Sequence, residues 1–387
     1  MKHHITALLL LLFGFTLDST AQTPAQTLVW KEQLQARLDS LQAANGFPGA
    51  TFAAVLPGGE VITIATGVAD STTMAPMRPD HRMLSGSNGK TLFAASALLL
   101  AEQGVFHLDD KLERYIGHEA WFSSIPNAQN LTMRMLLNHT SGMEEYLVQG
   151  DFMRRLKDSP EHVWKPTELL AYVFNRPPLF EAGKDFGYAD ANYILFSYIV
   201  EKISGKQMYD MIRQNIIKPY GLKDTEPSTK RSYRGLAVGY ARKGGPFPVE
   251  GAMVRHNKLV LNPQFEWAGG GFVSSAADLA IWAKAYYDFK AVSPALRAQM
   301  RKGVPANTGK NHLYALAMQI RPGGKAGMSY GHSGWFPGYL TDAVYFPDLD
   351  LAVAIQFNTD NVRLLKRAPE AYLHEMASIL TTQEKTR

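Results

Sequence analysis

The chain has no cysteine in 387 residues. That excludes disulfide staples, a thiol nucleophile, cysteine-bound metal and lipid attachment at cysteine. Charge is also sparse, at 19% of residues with a net excess of five positives. Basic clusters are as short as Lys230-Arg231, so no nucleic-acid surface is indicated. No His-Glu-x-x-His or acidic-loop pattern occurs, and no metal is expected. No apolar run is long enough to span a bilayer comfortably, and there is no internal repeat or low-complexity tract. What the chain does have is 46% apolar residues, enough for an ordinary globular core.

Met1-Lys2-His3-His4 opens a basic start, Ile5 to Leu17 is apolar, and Ser19-Thr20-Ala21 ends in small residues. This is the layout of a secretory signal peptide, residues 1–21, cut after Ala21; an uncleaved anchor is the alternative. The expectation is a protein secreted to the periplasm with no stable membrane span after processing.

Apolar spacing from Trp30 through Leu34, Leu38 and Leu41 is helical and stops at Asn45-Gly46 before Pro48. Ala50 to Leu56 and Val61 to Val68 are β-rich and flank Pro57-Gly58-Gly59, which reads as a hairpin. Thr91 to Gln103 is apolar nearly all round and is expected as a central buried helix ending at Gly104. From Leu108 to Leu261 the signals are mostly helical, with Leu131–Leu137, Pro166–Phe174 and Tyr193–Ile203 as the clearest pieces. Ser275-Ala276-Ala277-Asp278 reads as a capping box. Tyr314–Ile320, Ser329–His332, Ala343–Phe346 and Leu351–Phe357 read as strands, and Leu364–Leu380 as a closing amphipathic helix.

Ser87-Asn88-Gly89-Lys90 places a hydroxyl and an amine three residues apart at the start of the buried helix, on one face. A serine needs an adjacent base to attack a carbonyl, so Ser87 is the candidate nucleophile. Two other local patterns fail. A phosphate-binding loop needs glycine where Leu84 stands, and the elbow-like Gly331-His332-Ser333-Gly334-Trp335 ends in tryptophan and lies among strands.

Ser87-x-x-Lys90, then Tyr188-Ala189-Asp190, then His332-Ser333-Gly334 on a late strand, together resemble the penicillin-recognising serine hydrolases. That superfamily includes class C β-lactamases, D-Ala-D-Ala carboxypeptidases, and related esterases and D-aminopeptidases. Leu136-Leu137-Asn138-His139-Thr140-Ser141-Gly142 and Ala268-Gly269-Gly270-Gly271 are similar to further segments of it. The resemblance implies an α+β fold, an α/β/α sandwich with an antiparallel sheet from both chain ends (22–104 and 265–387) and a mostly helical inserted domain (105–264). It implies an acyl-enzyme at Ser87, with Lys90 and Tyr188 sharing its proton and no cofactor. The backbone N–H groups of Ser87 and Trp335 match the oxyanion hole, and Asp190, His332, Ser333 and Gly334 line the substrate. Lys90 acts as base if its pKa is depressed by apolar walls; alternatively Asp190 keeps it protonated and the base role moves toward Tyr188. His332 is expected to bond or weakly attract a substrate carboxylate.

Bland roles are expected elsewhere: His139 shapes its Thr-Ser-Gly loop, and Glu144-Glu145 form a solvated pair. The expected partner is a small molecule or peptide: a D-amino-acid-containing cell-wall peptide first, an ester or β-lactam second. Asp190 where asparagine is usual, and His332 where lysine is common, favour a carboxypeptidase, D-aminopeptidase or esterase over an efficient β-lactamase. A non-catalytic sensor of wall fragments is the alternative of another class.

Overall fold

The computed structural model describes residues 24–324 and 326–381. The expected signal segment, residues 1–21, lies outside the described residues. Helix α1 (Pro24–Asn45) buries Trp30, Leu34, Leu38 and Leu41, the spacing expected of one helix face. Gly46, at φ +70°, turns the chain out of it. Strands β1 (Gly49–Val55) and β2 (Val61–Asp70) then form the expected hairpin.

After short strands β3 (Ala75–Pro76) and β4 (Met83–Leu84), helix α2 (Lys90–Glu102) is buried from Lys90 to Leu98. Thr132 caps the short helix α3 (Met133–Leu137) by accepting from the Met135 N–H. The longer α4 (Asp190–Ser204) ends at Gly205, φ +67°. Helical character was expected to continue to Leu261, but it stops at Ile217. Residues 218–262 are turns and two-residue strands, in keeping with the breakers Gly221, Pro227, Gly239 and Gly244-Gly245-Pro246.

The carboxy-terminal part begins with β5 (Phe272–Ser274) and α5 (Ala276–Tyr287). Ser275 caps α5 by accepting from the Asp278 N–H. The other half of the expected box is absent, because the Asp278 carboxylate instead accepts from the Asp224 N–H and the Thr225 hydroxyl. Strands β6 (Val304–Pro305), β7 (Leu313–Tyr314), β8 (Gln319–Arg321), β9 (Ser329–Phe336), β10 (Tyr339–Phe346) and β11 (Leu351–Phe357) follow. The single strand expected over Tyr314–Ile320 is two strands, β7 and β8, because Ala317 at φ +47° turns the chain between them. The closing helix is likewise two, α6 (Val362–Leu365) and α7 (Pro369–Thr381). Pro369 lacks the N–H that would continue a helix, and it disfavours helical geometry in the residue before it.

Among the described residues the main sheet is antiparallel with order β6-β7-β8-β9-β10-β11-β1-β2-β3. The two chain ends meet at its centre, where β1 pairs with β11 in the register Ala53↔Ala354. Every residue of β1, β10 and β11 is buried, because helices cover both faces. Trp30, Leu34 and Leu38 of α1 pack with Tyr372, Leu373 and Met376 of α7 on one face. Leu279 and Ala283 of α5 share a core with Ala53 and Val55 on the other. The architecture is thus an α+β fold. It holds β9 rigidly beside the amino-terminal end of α2.

Candidate active site

Ser87 lies in the single helical turn Gly86–Gly89 that feeds directly into α2 at Lys90. This turn is wedged between β9 and the glycine run Gly269-Gly270-Gly271. A methyl on Gly86, at φ +51°, would stand 2.5 Å from the Trp335 nitrogen. One on Gly89 would stand 2.2 Å from the Gly270 carbonyl oxygen, and one on Gly270 would stand 2.2 Å from that of Gly86. The loop that supplies this run carries a non-glycine residue in a rare conformation, Trp267 at φ 34°, ψ −115°. Its carbonyl accepts from the Gly270 and Gly271 N–H groups. Strain of this kind costs roughly 1–3 kcal/mol and persists only where the surroundings enforce it.

Lys90 is wholly buried. An ammonium has three donors, and all three are used: on the Ser87 Oγ at 3.0 Å, on the Asp190 Oδ1 at 2.5 Å and on the Gly269 carbonyl. It also faces the Tyr188 and Tyr193 rings at 5.0 and 5.4 Å. Burial alone would lower the lysine pKa, but the adjacent Asp190 carboxylate, aided by Tyr188, raises it above its ordinary value. The depressed base anticipated as one possibility is therefore not what is found. Asp190 bonds the Lys90 ammonium, while the contact with the Ser87 Oγ is made by Lys90 itself.

Tyr188 immediately precedes the Ala189-Asp190 start of α4 and interacts with both Lys90 and Ser87. Its hydroxyl does not reach full hydrogen-bond geometry with any group. Burial pushes the phenol up to about 12 against the opposing pull of Lys90. His139, at φ +58°, packs on the Tyr188 ring, with centroids 4.2 Å apart and planes tilted by 30°. Its Nδ1 faces the Ala189 N–H and the Asn192 amide. It does shape its loop, and it also fixes the tyrosine.

His332 is buried in β9 with both ring nitrogens engaged: Nδ1 with the Ser333 carbonyl at 2.7 Å and Nε2 with the Tyr314 hydroxyl at 2.8 Å. A carbonyl only accepts, so Nδ1 carries the hydrogen and Nε2 accepts from Tyr314. Burial, with Lys90 nearby, lowers its pKa to about 3. It therefore has neither charge nor spare hydrogen for a substrate carboxylate, which corrects the expectation for this residue.

Ser333 is exposed on β9, whereas Gly334 is buried, and a methyl on it would stand 2.0 Å from the Ser85 carbonyl oxygen. In an antiparallel ladder, residues alternate between pairs that exchange hydrogen bonds and pairs that do not. The two-residue turn Pro337-Gly338 closes on the Phe336↔Tyr339 pair. Ser333 and Trp335 thus both turn their N–H groups away from β10. The Ser333 N–H meets the Gln319 side chain at 3.2 Å. Strand β8 starts at Gln319, paired with Gly331, so the Trp335 N–H lies past that pairing, beside the Ser87 turn. Ser87 and Trp335 consequently line one space.

That space is a cavity of about 460 Å³ lined by Ser87, Tyr188, Asp190, His332, Ser333, Gly334 and Trp335. Phe247, Phe265 and Phe336 form its apolar wall, Phe247 with its ring 5.3 Å from that of Trp335. Lining residues missed at the sequence level include Glu145, Glu266, Gln319, Arg321, Asp342 and Glu370. Glu144 ion-pairs with Arg176, but Glu145 is not its solvated twin. The Glu145 carboxylate accepts from the Asp190 N–H at 2.6 Å and the Leu147 N–H at 3.1 Å. Burial, then the Asp190 charge, pushes both Glu145 and Glu266 up to about 8. The only sequence cue to either is its position, Glu145 just after the Asn138–Gly142 turn and Glu266 just before the glycine run.

Comparison with known proteins places this geometry in context. The family model described as Beta-lactamase matches residues 34–375. The chain is 25% identical over 326 residues to "Penicillin-binding protein 4*" of Bacillus subtilis, covering 82% of this chain and 69% of that protein. It is 25% identical over 313 residues to a D-aminopeptidase of Brucella anthropi, covering 80% of this chain but only 56% of that one. Among solved structures it is similar to a D-stereospecific amidohydrolase from Streptomyces sp., with TM-score 0.75, 24% identity, and 87% of this chain and 97% of that one covered. It is also similar to the D-amino acid amidase from Ochrobactrum anthropi SV3, with TM-score 0.77, 23% identity, and 92% and 100% covered. These two likenesses establish the fold.

Proposed function

Because the chain belongs to the Beta-lactamase family of penicillin-recognising serine hydrolases, we propose that it cleaves amide bonds of small amine-bearing substrates through an acyl-enzyme on Ser87. The observation that carries this reading is Lys90, spending its three hydrogens on Ser87, Asp190 and the Gly269 carbonyl. The cleft lies between the proposed sheet domain (22–104 and 265–387) and the inserted domain (105–264). Export to the periplasm is part of the proposal and rests on residues 1–21.

Asp190 first takes a proton from Lys90, which frees a lone pair on Nζ; as the Ser87 Oγ bonds to the substrate carbonyl carbon, its proton passes to this neutral amine. The carbonyl oxygen, now negative, accepts from the Ser87 and Trp335 N–H groups; one such donor is worth about 2.7–4 kcal/mol of barrier. Tyr188 protonates the leaving nitrogen and the C–N bond breaks. Its phenolate is neutralised by a proton from Lys90, which recovers one from Asp190. Water then attacks the ester carbon and Ser87 leaves with a proton by the same route. The serine proton has moved to the leaving amine, and no cofactor is invoked.

The lining of the cavity supports an amine-bearing substrate over one with a carboxylate. Its ionisable residues, besides Tyr188 and His332, are Glu145, Asp190, Glu266, Asp342, Glu370 and Arg321, with the Glu145 and Glu266 carboxyls pushed up to about 8 by burial and then Asp190. The arginine is committed to Asp342 through two bonds of 3.1 and 3.0 Å, and His332 is neutral. A β-lactam or a D-Ala-D-Ala peptide would bring a carboxylate to a cleft with no free cation among its described lining residues. The names D-aminopeptidase and D-amino acid amidase carried by similar proteins point the same way. An ester of the same acyl group would share the acyl-enzyme. The test is a kinetic panel of D-phenylalanine p-nitroanilide, its N-acetyl derivative, a D-Ala-D-Ala peptide and a chromogenic cephalosporin. The free amine should be cleaved best; preference for the cephalosporin or the dipeptide would overturn the substrate assignment.

A further inference from the structure

In the wall of the cleft, Arg321, Gln319 and Asp342 form a chain of buried polar groups for which the mechanism above has no use. Arg321 is 2% exposed, Gln319 4% and Asp342 1%. The guanidinium donates to both Asp342 oxygens and, at 2.5 Å, to the Gln319 Oε1. That same oxygen accepts from the Ser333 N–H at 3.2 Å, and the Gln319 Nε2 donates to the Ser333 Oγ at 3.2 Å. An arginine has donors and no acceptor, so only one orientation of the Gln319 amide is compatible with Arg321 beside it. In that orientation Ser333 receives a hydrogen bond and keeps its own hydrogen for the cavity it lines.

We propose that Arg321 and Gln319 are positioning residues that make the Ser333 hydroxyl a dedicated hydrogen-bond donor toward an uncharged carbonyl or amide oxygen of the substrate. The proposal rests on the amidohydrolase reading only for its kinetic test. Arg321 acts through Gln319 and does not itself meet the substrate.

Gln319→Glu is the diagnostic variant. It is nearly isosteric, still accepts from Arg321 and from the Ser333 N–H, and turns the atom facing the Ser333 Oγ from donor to acceptor. A merely structural contact would survive this change. The Ser333 hydrogen is instead drawn inward, so kcat/KM for D-phenylalanyl-glycinamide, which carries an uncharged amide oxygen besides its scissile carbonyl, should fall about three- to tenfold, the range of one neutral hydrogen bond. Ser333→Ala should cost the same, and the double variant no more than either alone. Wild-type kcat/KM in folded Gln319→Glu, or losses that multiply in the double variant, would overturn the proposal. Neutron diffraction from deuterated crystals tests it without turnover: the Gln319 Nε2 deuteron should point at the Ser333 Oγ and the serine deuteron into the cavity. A serine deuteron directed at Gln319 would overturn it. Failure of the wild-type protein to cleave D-phenylalanyl-glycinamide would count against the amidohydrolase reading and leave the neutron result to decide this one.

Discussion

Lys90 and Asp190, a hundred residues apart in the chain, meet at 2.5 Å with the lysine fully buried. Two elements make the meeting possible: the turn that starts α2 and the turn that starts α4. The carboxylate sits in the first turn of α4, where the helix dipole favours a negative charge. Breaking such a pair leaves the other charge buried without compensation, which costs about 3–5 kcal/mol.

Asp190→Asn should therefore lower the melting temperature at pH 7. The folded lysine pKa is raised above its unfolded value, so the pair's contribution is present below the unfolded pKa and is lost as pH rises through the folded one. In the variant a neutral amine needs no partner. The gap between variant and wild type should accordingly shrink as pH approaches about 10.4, the ordinary lysine pKa. Thermal melts across pH 6–10 in matched buffers would check this.

Tyr188→Phe removes a hydroxyl that reaches no group in full hydrogen-bond geometry, so nothing is left unsatisfied. The melting temperature should stay within about 2 °C of wild type, since little free energy is at stake. Turnover should drop by about 10²–10⁴, the usual contribution of a positioned acid. Steady-state kinetics beside a melt separates the two effects.

The Ser87–Lys90 pair was legible in the sequence because helix geometry puts residues three apart on one face, whatever the rest of the chain does. The α2 core was legible from its unbroken apolar run, and the β1–β2 hairpin from Pro57-Gly58-Gly59. The polarity of Lys90 was left open, since it depends on which partner α4 delivers across a hundred residues. Glu145 looked like half of a solvated pair because two adjacent acids carry no signal of burial; only packing against the Asp190 backbone places it inside. Gln319 and Arg321 stand two apart on one short strand, but the turn at Ala317 that creates the strand is not written in any motif. Pro369 marks the division of Leu364–Leu380 into two helices, although the apolar spacing runs on across it.

Glu266→Gln tests the buried acids. Its carboxyl is pushed up to about 8 by burial and by Asp190, so the folded state holds its proton more tightly than the unfolded chain does. Stability should fall as pH rises from about 4.3, the ordinary glutamate pKa, toward 8. The glutamine variant removes that slope, and should gain in melting temperature over wild type at pH 8.5 by more than at pH 5.

Gly89→Ala asks whether the nucleophile turn needs its close contact with the glycine run. The added methyl would lie 2.2 Å from the Gly270 oxygen, and both sides of that contact are backbone. A misfit of this kind costs about 1–3 kcal/mol. Turnover should fall by more than tenfold in a protein that still folds, read by circular dichroism alongside kinetics. Wild-type turnover would show that the turn tolerates displacement.

The most direct measurement is peptide mass spectrometry after incubation with a fluorophosphonate. The account predicts one adduct, on the peptide carrying Ser87, absent from Ser87→Ala and formed at least about a hundredfold more slowly in folded Lys90→Met, the scale of a lost general base. No adduct in the folded wild-type protein, or an adduct on Ser333 with Ser87 untouched, would contradict it.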